Sequence, residues 1–445
     1  MSILNVNKIN PVGGGSTITI AGIASVTNNI SVGNSVTAGS FVGPIEGAVT
    51  GNVTGNVTGN VTGDATGLSG NPSINTTGIV TATSFVPTVG QLSHRNIFIN
   101  GAMTVAQRGV SSTTNGFGSV DRFYVGYNAV DEAPTQAQAD ISAGTTPYTL
   151  GFRKSLKITN GNQTSGAGAA DYIFINMAQE AQNLATSGWN YKSSSSFITL
   201  SFWIKSSVAQ NFFFQFDVRD GTRQNYVMET GSLTADTWTK ITKVIPGNSN
   251  LTIDNNFGVG AYITFGVFWG TDYTASMSLE TWGAASDSSK TPDNPTTWYT
   301  TNDATLEFTG IQLEVGSVAT PFEHRSFGDD LARCQRYFYR MQNGSSGSYW
   351  IGHTSSYGGN NNIMMIYLPV CMRDNPSLST SGTASHFQVW GNGTVENLSN
   401  LPVLRSSNGV NPSVVAIDIT HNITTGHTRI VRMGSQAYIE FSAEL

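Results

Sequence analysis

Flat aromatic rings and side-chain amides are the chemistry this sequence displays most openly. Trp282, Trp298 and Tyr299 stand in a long polar stretch, roughly residues 270–304. Tyr349, Trp350, His353, Tyr357, Asn361 and Trp390 stand in or near a stretch thick with Gly, Ser and Asn. A ring offers its apolar face to the C–H groups of a sugar, while Asn, Gln and Asp exchange hydrogen bonds with the hydroxyls. These nine residues form the candidate glycan-binding set, and the loop-like character of 349–362 favours the C-terminal members. Trp203, Trp238 and Trp269 sit in strand-like contexts and are expected in the core.

Other chemistries find little material. There is no Gly-x-x-x-x-Gly-Lys-Ser/Thr loop and no His-Glu-x-x-His pair. The histidines (94, 324, 353, 386, 421 and 427) are dispersed, and Cys334 and Cys371 are far apart, so no cofactor or zinc site is expected. Asp217, Asp220, Glu229 and Glu314 could in principle supply a hydrolytic carboxylate pair, but they read as ordinary exposed charges. The chain is expected to bind rather than catalyse.

Composition bounds the partners. Of 445 residues only 11% are charged, and 22 Lys and Arg against 28 Asp and Glu leave a net charge of −6. A nucleic-acid groove needs clustered cations, so that function is excluded as the main one. No run approaches the ~20 apolar residues of a membrane span, and none near the start resembles a secretory signal. Two cysteines cannot make a disulfide framework, which fits synthesis in a reducing cytoplasm.

The elements that must carry the rings change character near residue 90. Residues 1–90 hold three charged residues (Lys8, Glu46, Asp64), two aromatics (Phe41, Phe85) and sixteen glycines, while Val, Ile and Thr make up 36 positions. β-branched residues favour extended backbone, yet so few large side chains cannot build a private core. Gly51-Asn52-Val53-Thr54 recurs at 55–58 and 59–62 and decays at 63–66. Repetition with shared burial predicts an intertwined homotrimeric β-repeat shaft over 1–90. A metal ion on its threefold axis, needing only one or two ligands per chain, stays open.

Beyond residue 90 the aromatics arrive and period-two patterning is plain. Ile198, Leu200, Phe202 and Ile204 form one face, and Phe212, Phe214, Phe216 and Val218 a second. Ala261, Ile263, Phe265, Val267 and Trp269 form a third, and Ile311, Leu313 and Val315 a fourth. This predicts an antiparallel sandwich over 91–326. A helix over 327–342, N-capped by Asp329, should connect it to a small β domain over 343–445. There, 363–370 reads as a buried strand stopped by Pro369, with further strands at 414–419, 428–433 and 437–441. The fold class is all-β: fibrous repeat shaft, central jelly-roll sandwich, short helix and C-terminal β tip.

Several segments resemble a known family. Leu4-Asn5-Val6-Asn7-Lys8-Ile9, the Gly-Asn-Val-Thr run and Gly78-Ile79-Val80-Thr81-Ala82-Thr83-Ser84-Phe85 are similar to tail fibres of tailed phages, those infecting marine cyanobacteria in particular. Asn96-Ile97-Phe98-Ile99-Asn100-Gly101-Ala102-Met103, Ala106-Gln107-Arg108-Gly109 and Asp121-Arg122-Phe123 resemble the opening of a carbohydrate-binding-module-like jelly roll found in such fibres. Gly310-Ile311-Gln312-Leu313-Glu314-Val315-Gly316 and Ala319-Thr320-Pro321-Phe322-Glu323 resemble its close, and Arg333-Cys334-Gln335-Arg336-Tyr337-Phe338-Tyr339 and Leu368-Pro369-Val370-Cys371-Met372-Arg373 are also family-like. The resemblance implies a homotrimeric receptor-binding fibre of the virion, assembled in the host cytoplasm. Its N-terminus would be held by a tail, adaptor or baseplate protein, and it would bind a host surface polysaccharide for adsorption, lipopolysaccharide first among candidates. No nucleic-acid partner and no membrane insertion are implied. A polysaccharide-modifying tailspike and a structural collar or baseplate fibre are the alternatives.

Overall fold

The computed structural model describes residues 94–343, 347–358, 361–391, 393–405, 412–421 and 428–445, without the side chains of 357, 358 and 361. The shaft expected over 1–90 lies outside the described residues. Every described residue belongs to one unit running from Ala82 to Leu445.

The first twelve strands are β1 (Ser111–Ser112), β2 (Tyr124–Asn128), β3 (Thr135–Asp140), β4 (Lys154–Thr159), β5 (Tyr172–Glu180), β6 (Phe197–Ser206), β7 (Phe213–Val218), β8 (Gln224–Glu229), β9 (Thr239–Pro246), β10 (Val259–Trp269), β11 (Trp282–Ala284) and β12 (Thr305–Val315). They form two six-stranded antiparallel sheets, ordered β1-β3-β4-β12-β6-β9 and β11-β8-β7-β10-β5-β2. The inward faces are those the alternation marks: Ile198, Leu200, Phe202 and Ile204 from one sheet meet Phe214, Phe216 and Val218 from the other. Phe202 meets Phe214 and Phe265 edge-on, with ring centroids 5.3 and 4.8 Å apart. Each such ring, fully buried, contributes on the order of 1.5–3 kcal/mol. The molecule is all-β with a jelly-roll-like sandwich, as expected.

Two short helices, α1 (Thr146–Thr149) and α2 (Ala181–Ala185), decorate this sandwich, and α3 (Thr297–Thr300) folds the second half of the polar stretch back against it. The longest helix, α4 (Phe327–Gln335), departs from expectation at both ends. Its cap is Ser326, whose hydroxyl accepts from the Asp329 N–H, so Asp329 sits inside the first turn. It also stops seven residues early. Residues 338–342 form β13 (Phe338–Gln342) because the last strand of the chain needs a partner there, and Tyr339 stacks on Phe441.

The remaining strands are β14 (Tyr349–Gly358), β15 (Asn361–Tyr367), β16 (Ser377–Thr380), β17 (Phe387–Gly391), β18 (Thr394–Asn397), β19 (Val403–Leu404), β20 (Val414–Thr420), β21 (Arg429–Met433) and β22 (Tyr438–Ser442). They make a three-stranded sheet, β13-β22-β16, and a seven-stranded sheet, β18-β17-β21-β14-β15-β20-β19. A second core of Met364, Ile366, Phe387, Val389, Val415, Ile417, Val431, Ile439 and Phe441 lies on one face. β15 is thus buried on one side only: Met364 and Ile366 point inward, whereas Met365 and Tyr367 face water, Tyr367 being 77% exposed.

Buried charges tie the two cores together. Glu180, at the end of β5, accepts two hydrogen bonds from Arg336, both 2.9 Å, and one from the Tyr337 hydroxyl. Glu444 pairs with Arg108 and Arg122, and the Arg122 guanidinium lies 3.4 Å from the Tyr337 ring centroid. Pairing of this kind is what permits carboxylates to be buried at all.

Candidate functional site

The outward face of the second sheet carries its chemistry in rows, because each antiparallel pairing places same-face residues side by side. One row is Gly126 on β2, Phe174 on β5, Gly266 on β10 and Phe213 on β7. Phe174 therefore has a glycine on either flank. Its ring lies down over Gly126, where a Cβ would stand 2.3 Å from the ring's Cζ, and the indole of Trp269 lies over Gly266 in the same way, 2.4 Å from a Cβ there. Only glycine allows a ring that close to the backbone. The two rings are stacked, with centroids 5.2 Å apart and planes at 12°. Tyr124 extends the platform on one side, stacked 6.0 Å from Phe174, and Tyr172 and Tyr273 close it on the other, 5.2 and 5.5 Å from Trp269.

The next row is polar. Tyr124, Asn176, Thr264 and Gln215 stand side by side on β2, β5, β10 and β7. The Thr264 hydroxyl donates to Asn176 Oδ1 at 3.2 Å, and Asn225 Nδ2 donates to Gln215 Oε1 at 2.8 Å. The third row, Ala178, Tyr262, Asp217 and Asn225, is charged at one end. Arg219 and Arg223 each donate to Asp217 Oδ2 at 2.8 Å, and Arg223 also reaches Asp287 at 3.3 Å. Burial works against the Arg223 cation, but the hydrogen bonds and charges of Asp217 and Asp287 together outweigh it and hold its pKa above the ordinary value. The Lys290 ammonium beside Asp287 holds that carboxyl below the usual range.

Together these rows line a groove of about 510 Å³, with Phe117, Tyr273, Asp287, Lys290 and Leu445 along its margins. Two polar atoms of its lining residues are buried with no hydrogen-bond partner among the described residues: Asp217 Oδ1 and Trp269 Nε1. Such atoms are rare in a folded protein and costly to leave unmet. Stacked rings beside unmet donors and acceptors suit a ligand that has apolar faces and hydroxyls at once.

The nine residues proposed from sequence fare differently. Trp298 and Tyr299 are corrected to core. Trp298 donates its indole N–H to Thr305 O at 3.0 Å, and Tyr299 stacks on Phe268 with centroids 4.2 Å apart while its hydroxyl donates to Asp171. Burial pushes the Tyr299 phenol well above its usual pKa. Trp282 is half-buried, packed on Phe216 and Tyr226 and bonded to Pro246 O, so it serves the sandwich edge. The side chains of Tyr357 and Asn361 lie outside the described residues.

Tyr349, Trp350, His353 and Trp390 are exposed on the seven-stranded sheet. Trp350, 49% exposed, and Trp390, 38% exposed, meet edge to face at 5.8 Å across β21. Arg432, opposite Trp350 on β21, lies 5.6 Å from the Trp350 ring and donates to Gln388 Oε1 at 2.8 Å.

Sequence reasoning missed the groove. Its signal lies in Gln215 and Asp217, the polar positions of β7, whereas the strand-like context of Trp269 points to the core. The period-two face of β10 holds through Val267. A bulge between Gly266 and Phe268 turns Phe268 inward as well and sends Trp269 to the opposite face. Trp269 is only 4% exposed, yet what covers it is the ring row rather than the core.

No family model and no curated protein matches the chain. Among solved structures, one described as "CBM4 structure and function" is 12% identical, with a TM-score of 0.25, covering 48% of this chain and 97% of that one. A putative sugar binding protein from Bacteroides thetaiotaomicron is 10% identical, with a TM-score of 0.27, covering 49% and 99%. The enzymatically active domain of bacteriophage CBA120 tailspike protein 4 is 9% identical, with a TM-score of 0.27, covering 49% of this chain but 21% of that one. At these values the neighbours carry no functional argument.

Proposed function

We propose that this chain is a tailed-phage fibre whose sandwich holds a host surface polysaccharide in the groove of its second sheet. The observation that carries the glycan reading is the Phe174–Trp269 platform, laid flat by Gly126 and Gly266 in a groove that also holds the unpaired Asp217 Oδ1 and the amides of Asn176 and Gln215. A sugar stacks its C–H face on the rings and exchanges hydrogen bonds with the amides at the rim. The fibre reading rests on the N-terminal repeats and the sequence resemblance. Residues 1–90 would form a trimeric shaft held by the virion, and lipopolysaccharide is the first receptor to test. Three grooves per fibre and several fibres per particle would turn weak single contacts into firm adsorption through effective concentration.

The role is binding without cleavage. Incubating the protein with host polysaccharide tests both halves at once: retention on the polysaccharide with unchanged chain length is expected, and shortened chains would overturn it. The edge-to-face pair Trp350–Trp390, with Arg432 beside it, supports a second reading in which the C-terminal sheet adds its own glycan contact.

A further inference from the structure

A second pocket, sharing no residue with the groove, lies where the first described residues meet α2, the end of β12 and α4. It encloses about 270 Å³ and is lined by His94, Arg95, Asn183, Thr186, Ser187 and Arg333 together with Asn96 and three aliphatic side chains. No Asp or Glu is among the lining residues. In a chain with more acids than bases, two arginines facing one carboxylate-free cavity call for an explanation.

Neither guanidinium forms an ion pair among the described residues. Arg95 donates to Pro321 O at 3.2 Å, and its Nε is buried without an acceptor. Arg333 donates to Nδ1 of His94 at 3.2 Å. Of the nearby carboxylates, Glu323 accepts from the Asn96 N–H at 2.9 Å and from Arg325 at 3.0 Å, while Asp330 lies 3.9 Å from Arg325 and also feels the charge of Arg333 without bonding to it. Thr186 and Ser187 give their hydroxyl protons to Gln182 O and Leu184 O, which leaves the Asn183 amide and the His94 Nε2–H as neutral donors in the pocket. Paired guanidinium groups with an amide beside them are the donor set that a multi-oxygen anion satisfies best.

We infer that this pocket binds a compact oxyanion of the phosphate or sulfate type, held by Arg95 and Arg333. The cavity is larger than a bare ion, so the anion can arrive free or carried on a sugar. Thermal unfolding of the full chain in inorganic phosphate, against chloride at matched ionic strength, reads the site directly. Phosphate raises the midpoint by about 2 °C or more. Arg333→Gln abolishes the rise and weakens phosphate at least about tenfold, whereas Arg153→Gln, whose guanidinium lies on Tyr148 away from the pocket, keeps it. Arg333→Lys, which keeps a charge, retains part of the rise and guards against a merely misfolded variant. Glucose 6-phosphate binding more tightly than phosphate assigns the anion to a glycan, and equal binding assigns it to the free ion. No rise in phosphate, or a rise that Arg333→Gln retains, overturns the site.

Discussion

Phe174 and Trp269, on the adjacent strands β5 and β10, lie 12° from parallel with centroids 5.2 Å apart, each resting over a glycine of the strand beside or beneath it. That relationship turns two large side chains, which would ordinarily stand upright on a sheet, into a floor. The groove's chemistry follows from it: rings in one row, amides in the next, ion pairs in the third.

The floor should fail when its glycine is lost. A Cβ at Gly126 would stand 2.3 Å from Phe174 Cζ, so Gly126→Ala must lift the ring. We expect a loss of about 1–3 kcal/mol in urea unfolding together with weakened polysaccharide binding. The double variant Gly126→Ala/Phe174→Ala should cost less than the sum of the singles, because the clash vanishes with the ring. Strict additivity would place the ring elsewhere.

Asp121 sets a pH dependence of known sign. Burial pushes its carboxyl up to about 6, against the hydrogen bonds from Gln107 and the charge of Arg108 that lower it. Below about pH 4 it is protonated folded or unfolded. Between about 4 and 6 only the folded state keeps the proton, so stability falls as pH rises through that window, by about 3 kcal/mol in all, and is level above it. Asp121→Asn keeps an acceptor for Gln107 and removes the titration. Its stability relative to the native chain should climb from pH 4 to about 6.5 and then flatten. A difference independent of pH would contradict the assignment.

The tryptophans of the C-terminal sheet separate the two glycan readings. Trp350→Ala/Trp390→Ala removes two exposed rings, so unfolding stability should shift by no more than about 1 kcal/mol. Affinity for short soluble fragments of the host polysaccharide should stay within about twofold if the groove is the site. A loss of about tenfold or more would move the site to the tip.

What could be read from sequence was whatever obeys a simple period. The faces led by Phe202 and Phe214 alternate without interruption, and both became core. Trp269 escapes the alternation because a bulge breaks β10, and Gly266 is the local residue-type signal of that bulge. Trp298 and Tyr299 sit in a polar stretch whose composition looks exposed, yet α3 carries both inward and finds partners for their polar atoms on Thr305 and Asp171. Local spacing at 338–342 suggests helix, but the segment is a strand because its partner, β22, lies a hundred residues on, where local spacing carries no trace of it. Trp350 and Trp390 are exposed as their setting suggests. The stretch 349–362 that reads as a loop from its Gly, Ser and Asn is instead β14 and the start of β15, because pairing with β21 and β20 outweighs composition.

The central claim is that the ring platform binds the polysaccharide, and calorimetric titration of host polysaccharide fragments into the native chain and Trp269→Ala tests it most directly. The account predicts saturable binding to the native chain and a loss of about 1–3 kcal/mol in Trp269→Ala, at unchanged far-ultraviolet circular dichroism. Native affinity in a folded Trp269→Ala variant would contradict it.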